Sequence, residues 1–98
     1  MIIAFTPVRS DETLAAHVAG DVLTVNGTAF DFGPLPEGGI LPEGACGSDW
    51  IAGPVARMGG AIQLTLRLPH GPAAPAARRF PAGVVVAAGP VPLPPETE

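Results

Sequence analysis

Residues 20–32 read GDVLTVNGTAFDF, two alternating segments separated by Asn26-Gly27. Asn-Gly tolerates positive φ at both central positions of a type I′ turn, whose twist suits a two-residue hairpin. Closing the chain there sets Val25 opposite Thr28 and Leu23 opposite Phe30 on one face. Thr24, Ala29 and Asp31 then point to the other. Toward the N-terminus, Gly20-Asp21 offers a second two-residue turn, which places Val18 opposite Leu23, Ala16 opposite Val25 and His17 opposite Thr24. On alanine content alone, residues 13–21 (TLAAHVAGD) suit a helix. Two independent turns that continue one apolar face across three strands instead predict a β-meander.

A second hairpin is expected between Trp50 and Pro69. Ile62, Leu64, Leu66 and Leu68 alternate with Gln63, Thr65 and Arg67, and Gly59-Gly60 supplies the turn. Pro54 falls where a ladder donor is needed, so a bulge or break at Gly53-Pro54, or an edge position for that strand, is expected. Ile2 to Phe5 forms a first strand and the β-branched run Gly83 to Ala88 a last one. Between the hairpins, residues 33–49 lack any periodicity and form a long loop. Residues 69–77 form another. The predicted fold is all-β, a small antiparallel sandwich or open barrel built from the meander and the second hairpin, with long Pro/Gly-rich loops. Residues 1–89 make a single domain, and residues 90–98 an extended Pro-rich tail with polyproline II character.

Composition bounds what such a domain can do. The 98 residues suffice for one modest core, and 13 Gly with 13 Pro punctuate short apolar runs as turns do in an all-β chain. Lysine is absent, and the five basic residues are Arg9, Arg57, Arg67, Arg78 and Arg79, against a net charge of −4. Without a basic stripe the electrostatic attraction that dominates nucleic-acid affinity is missing, so no nucleic-acid partner is expected. A single cysteine, Cys46, cannot close an internal disulfide and fits a reducing compartment. Met1 to Ser10 lacks the cationic and apolar regions of a secretory signal, and prolines interrupt residues 81–95 too often for a spanning helix. These features predict a cytoplasmic protein without membrane contact.

Candidate chemistry is sparse. Asp31-Phe32-Gly33 matches a kinase string, but that motif works with a lysine and a much larger lobe, both missing here. It is better explained as the end of a strand and the start of a loop. Leu-Pro-Glu-Gly occurs twice, at residues 35–38 and 41–44. Each copy is expected to be a β-turn with proline at its second position and its leucine tucked beneath. Cys46 has neither His17 nor His70 in a recognisable catalytic spacing, so an inert loop thiol is expected. The same residues lack the close pairing of a zinc site, so neither metal nor cofactor is expected. His17 and His70 are expected at the surface. Arg78-Arg79 are read as a solvated pair before a strand. If the protein binds a small ligand or peptide, the loops at 33–49 and 69–79 would form the rim, with Trp50, Arg78 and Arg79 as contacts.

GDVLTVNGTAFDFGPLPEG, followed by WIAGPV, LTLRLPHG and RFPAGVVV, resembles small proteins encoded in the tail-gene regions of prophages and related phage-like elements. The resemblance runs over nearly the whole chain. It implies a genomic setting, with no defined activity and no functional residues carried over. The expectation is a non-enzymatic accessory or structural protein linked to tail or tail-fibre assembly. It would act in the host cytoplasm or within a phage-like particle, with tail proteins and further copies of itself as partners. A ligand- or peptide-binding β module is the alternative.

Overall fold

A computed structural model of the chain describes residues 1–94. Among these residues the order is β1 (Ile2–Arg9), β2 (Ala16–Ala19), β3 (Val22–Val25), β4 (Thr28–Asp31), β5 (Ile40–Leu41), β6 (Ile51–Met58), β7 (Ala61–His70), α1 (Ala76–Arg79), β8 (Val84–Val85) and β9 (Ala88–Pro90). The strands form a five-stranded sheet, β5-β6-β7-β1-β8, and a four-stranded sheet, β4-β3-β2-β9. The protein is therefore all-β. Among the described residues no helix is long and apolar enough to cross a membrane.

The meander has the expected register. Val25 pairs with Thr28 and Leu23 with Phe30, while Val18 faces Leu23 and His17 faces Thr24. Asn26 at φ 47° and Gly27 at φ 85° supply the two positive dihedrals of the type I′ turn. Gly20, at φ 61°, opens the other turn at its first central position, the type II′ pattern. Asn26 also works through its side chain. Its Oδ1 accepts the Ala15 N–H at 2.7 Å and its Nδ2 donates to the Thr13 carbonyl at 3.0 Å, fixing the approach to β2.

The second hairpin closes at Gly59-Gly60 with Met58 opposite Ala61. Ile62, Leu64, Leu66 and Leu68 are buried, and Gln63, Thr65 and Arg67 between them are half-buried. Pairing jumps from Ala52↔Thr65 to Ala56↔Gln63, so Gly53, Pro54 and Val55 together face Leu64. Because β6 lies between β5 and β7, the missing proline donor is absorbed by a bulge and not by an edge position.

Six expectations are corrected by the tertiary structure. The sheets are not wholly antiparallel, since β1 runs parallel to β7 from Ile2↔Gln63 to Arg9↔His70. Parallel neighbours need a long crossover, and here the meander and β5–β6 supply it. β1 also continues past Phe5 to Arg9. Pro7 is tolerated in it because β8 covers only Ile2 and Ile3, leaving the far side of β1 unpaired at Pro7.

The run from Gly83 divides between the sheets: β8 pairs with β1, whereas β9 pairs with β2. Val86 lies at the crossing, buried, and its N–H donates to the Met1 carbonyl at 2.9 Å. Within the expected loop 33–49, Ile40 and Leu41 form β5 against Ala56 and Val55. Within the expected loop 69–77, Pro69 and His70 prolong β7 and α1 begins at Ala76. Of the expected tail, Pro90 pairs with His17, Val91 is buried and donates its N–H to Ala16 at 2.9 Å, and residues 95–98 lie outside the described residues.

A single cluster of buried side chains draws on both sheets: Ile3, Phe5, Ile51, Val55, Ile62, Leu64, Leu66 and Leu68 from the larger, and Val18, Leu23 and Val25 from the smaller. Phe32 and Leu35, from the chain after β4, join it. At about 25 cal/mol per Å² of apolar surface, each buried Leu or Ile contributes on the order of 2 kcal/mol.

Candidate functional site

Arg57, Arg78 and Arg79 serve two structural tasks. Arg57 lies at the end of β6, half-buried, and its guanidinium reaches three segments. Nε donates to the Leu35 carbonyl at 2.6 Å, and Nη2 to the Phe32 carbonyl at 3.1 Å and to Asp21 Oδ2 at 3.0 Å. Nη1 donates to the Gly60 carbonyl at 3.3 Å. The five donors of a rigid planar fork suit this convergence, which lysine could not reproduce. Main-chain bonds reinforce it: Gly38 N–H donates to the Arg57 carbonyl at 2.8 Å, and Arg57 N–H to the Gly39 carbonyl at 3.1 Å. The loop after β4 is thus fastened to the other sheet, with Asp21 of the β2–β3 turn joined to the same side chain.

Arg78 performs the second task. Expected on a solvated loop, it is only 2 % exposed. Nε donates to the Pro69 carbonyl and Nη1 to the Pro94 carbonyl, each at 2.8 Å. A buried guanidinium is tolerated where carbonyls replace its water. Arg79 donates from Nε to the Ala74 carbonyl at 3.0 Å and stands 5.8 Å from the centroid of the Phe80 ring. The arginines therefore tie the end of β7, α1 and the chain after β9 together.

Trp50 is placed elsewhere. It is half-buried and, with Val25, Asn26, Thr28, Phe30 and Cys46 to Asp49, lines an open groove of about 350 Å³ beside β4. Two grooves lined by Trp50 include neither Arg78 nor Arg79, which lie with the end of β7 and the chain after β9. Nor do the two loops form one rim. The 33–49 loop gives Cys46 to Asp49 to the groove, while His70 and Gly71 line a separate depression with Ser10 to Thr13. Burial pushes the Cys46 thiol above its ordinary pKa, which lowers its thiolate population at neutral pH.

The remaining motifs have local roles. Asp31 Oδ1 accepts the Gly33 N–H at 2.8 Å, a turn at the strand end, and Phe32 is buried. Both Leu-Pro-Glu-Gly copies form the same turn, one residue later than expected. Gly39 N–H donates to the Pro36 carbonyl and Ala45 N–H to the Pro42 carbonyl, so proline stands first. Glycine stands third, with φ 77° at Gly38 and 84° at Gly44, values that favour glycine there. Leu35 is buried beneath the first turn and Leu41 half-buried beside the second, while the Glu37 carboxylate accepts the Gly60 N–H at 3.2 Å. His17 is exposed, and His70, half-buried, places Nδ1 3.0 Å from the Gly71 carbonyl. Among the described residues no three of His, Cys, Asp and Glu converge as metal ligands would.

No family model matches the chain, and no curated protein or solved structure matches it either. Arg57 is the functional-looking residue that sequence reasoning overlooked. Its one legible signal is a charged side chain beside a turn at the end of an apolar strand, a pattern also met at solvated positions.

Proposed function

We propose that the protein is a non-enzymatic structural or accessory component that acts through protein contact, in phage tail or tail-fibre assembly. In this proposal its two sheets pack as a sandwich around the shared core. One observation carries the contact role. Register aligns Ile40, Ala56, Gln63, Ile2 and Val85 across all five strands of the larger sheet, so these side chains share one face. Ile40 is 64 % exposed, Ile2 39 % and Val85 78 %. A row of this kind spans about 19 Å at the usual strand spacing and carries no charge, which suits contact with protein better than free solution. The arginines fit the same role, because Arg57, Arg78 and Arg79 hold the chain's own carbonyls. Tail assembly is inferred from the sequence resemblance.

The test is fractionation of particles from cells carrying the parent element, with the chain detected by antibody. Co-sedimentation with tails, or loss of intact tails when the reading frame is deleted, is the expected result. Intact tails from the deletion strain, with the chain absent from every particle fraction, would overturn the proposal.

A further inference from the structure

The free edge of the smaller sheet offers a sharper inference. Among the described residues β4 is the terminal strand and pairs only with β3. Hydrogen-bonding parity along this hairpin follows from its two-residue turn. Val25↔Thr28 and Leu23↔Phe30 exchange main-chain bonds, and the donation of Phe32 N–H to the Asp21 carbonyl at 2.9 Å continues the same alternation. Ala29 and Asp31 therefore direct their N–H and C=O groups away from β3, toward solvent. Beside that edge lies the groove lined by Phe30, Trp50, Cys46 and Asp49. A further strand hydrogen-bonded to β4 would turn alternate side chains onto this floor.

We propose that β4 accepts an extended segment of a partner protein as an antiparallel fifth strand, and that the segment presents an apolar and a cationic side chain two residues apart, on one face. Charge selects this occupant. Asp49 is the charged residue among the groove's lining, is exposed, and forms no ion pair with any described residue. Arg67 lines the adjoining depression, which Asp49 and Trp50 share with Val8, Ser10 and Glu12; it forms no ion pair with Asp49 and is not among the residues lining this groove. A second copy paired through the same edge would bring another Asp31 and Asp49 to it, on a chain of net charge −4. Main-chain bonds to Ala29 and Asp31 would supply affinity, and Phe30 with Trp50 a preference for apolar side chains. This inference holds whichever particle the protein serves.

Trp50 is the only tryptophan, so its fluorescence reports occupancy directly. The probe is a blocked pentapeptide, Thr-Val-Thr-Lys-Thr, whose Val and Lys share one strand face, with two relatives: Lys replaced by Glu, and the central Thr, which would donate to β4, replaced by Pro. Saturable binding is expected, weakened at least about tenfold by the Glu or Pro replacement. Ala29→Pro removes an outward donor while leaving the β3–β4 bonds, and should weaken binding by a similar factor with an unchanged circular dichroism spectrum. Asp49→Asn should bring the Lys and Glu peptides within about threefold of each other. Equal binding of the central-Thr and central-Pro peptides to the unaltered protein would overturn the proposal without recourse to any variant. So would the absence of a saturable signal, or a self-dimer in sedimentation that Ala29→Pro abolishes, which would give the edge to a second copy.

Discussion

Replacing Arg57 with alanine should cost the fold about 3 kcal/mol, and the components of that figure can be separated. Two of its bonds end on carbonyls of buried residues, Leu35 at 2.6 Å and Phe32 at 3.1 Å. Hydrogen bonds to charged groups are worth about 1.5–3 kcal/mol each, and truncation admits water that returns part of this. The bond to Gly60 ends on an exposed residue and adds little. Asp21 has a side chain 45 % exposed, so its ion pair is screened and contributes about 0–1 kcal/mol. Stapling of the loop after β4 should therefore outweigh the salt bridge. Against a total of roughly 5–15 kcal/mol for a domain of this size, a 3 kcal/mol loss is large. Urea titration followed by Trp50 fluorescence would read it as a midpoint lower by roughly 3 M, at an m-value of about 1 kcal/mol per M. Asp21→Asn should lose less than about 1 kcal/mol. If the two substitutions cost the same, the ion pair and not the loop staple holds this region. If Arg57→Ala costs under about 0.5 kcal/mol, the guanidinium holds nothing.

Three further outcomes follow from the same geometry. Arg78→Met should destabilise by about 3 kcal/mol in the same titration, because it leaves the Pro69 and Pro94 carbonyls without their donor, and Arg78→Lys should recover only part of that. Asn26→Ala should cost about 1–2 kcal/mol, from positive φ and from its two side-chain bonds, whereas Asn26→Gly removes the bonds alone and should cost less. Cys46 should alkylate more slowly at pH 7.5 than a free thiol. Its pKa is raised in the folded chain, so the folded state holds the proton more tightly. The associated stability is present below the ordinary pKa of 9.0 and declines as pH rises through the folded value. Cys46→Ala should flatten that alkaline decline, and an unchanged slope would show that the thiol is not its source.

How much of this molecule was legible in its sequence depended on how far apart the cooperating residues lie. Asn26-Gly27, Gly20-Asp21 and Gly59-Gly60 each set a register through dihedrals of adjacent residues, and alternation along Ile62 to Leu68 named the buried face. Pro54 announced its bulge because a missing N–H is a property of that residue alone. The groove at β4 is only partly legible: Trp50 is singled out in the sequence as a candidate contact, but Phe30, Cys46 and Asp49, which line the groove with it, come from separate segments. Arg78 was misjudged because a guanidinium is buried or solvated according to which carbonyls reach it, and Pro94 is 16 residues away.

Local dihedral preference and side-chain alternation, properties of neighbouring residues, thus determined the two hairpins and the all-β character. Tertiary structure alone decided that Ile2 runs parallel beside Gln63, that the chain changes sheets at Val86, and that Arg57 joins Asp21 to the loop carbonyls. Each of these depends on closing a long stretch of chain, and the free energy that chooses among such closures comes from the packed whole, with no local pattern to record it.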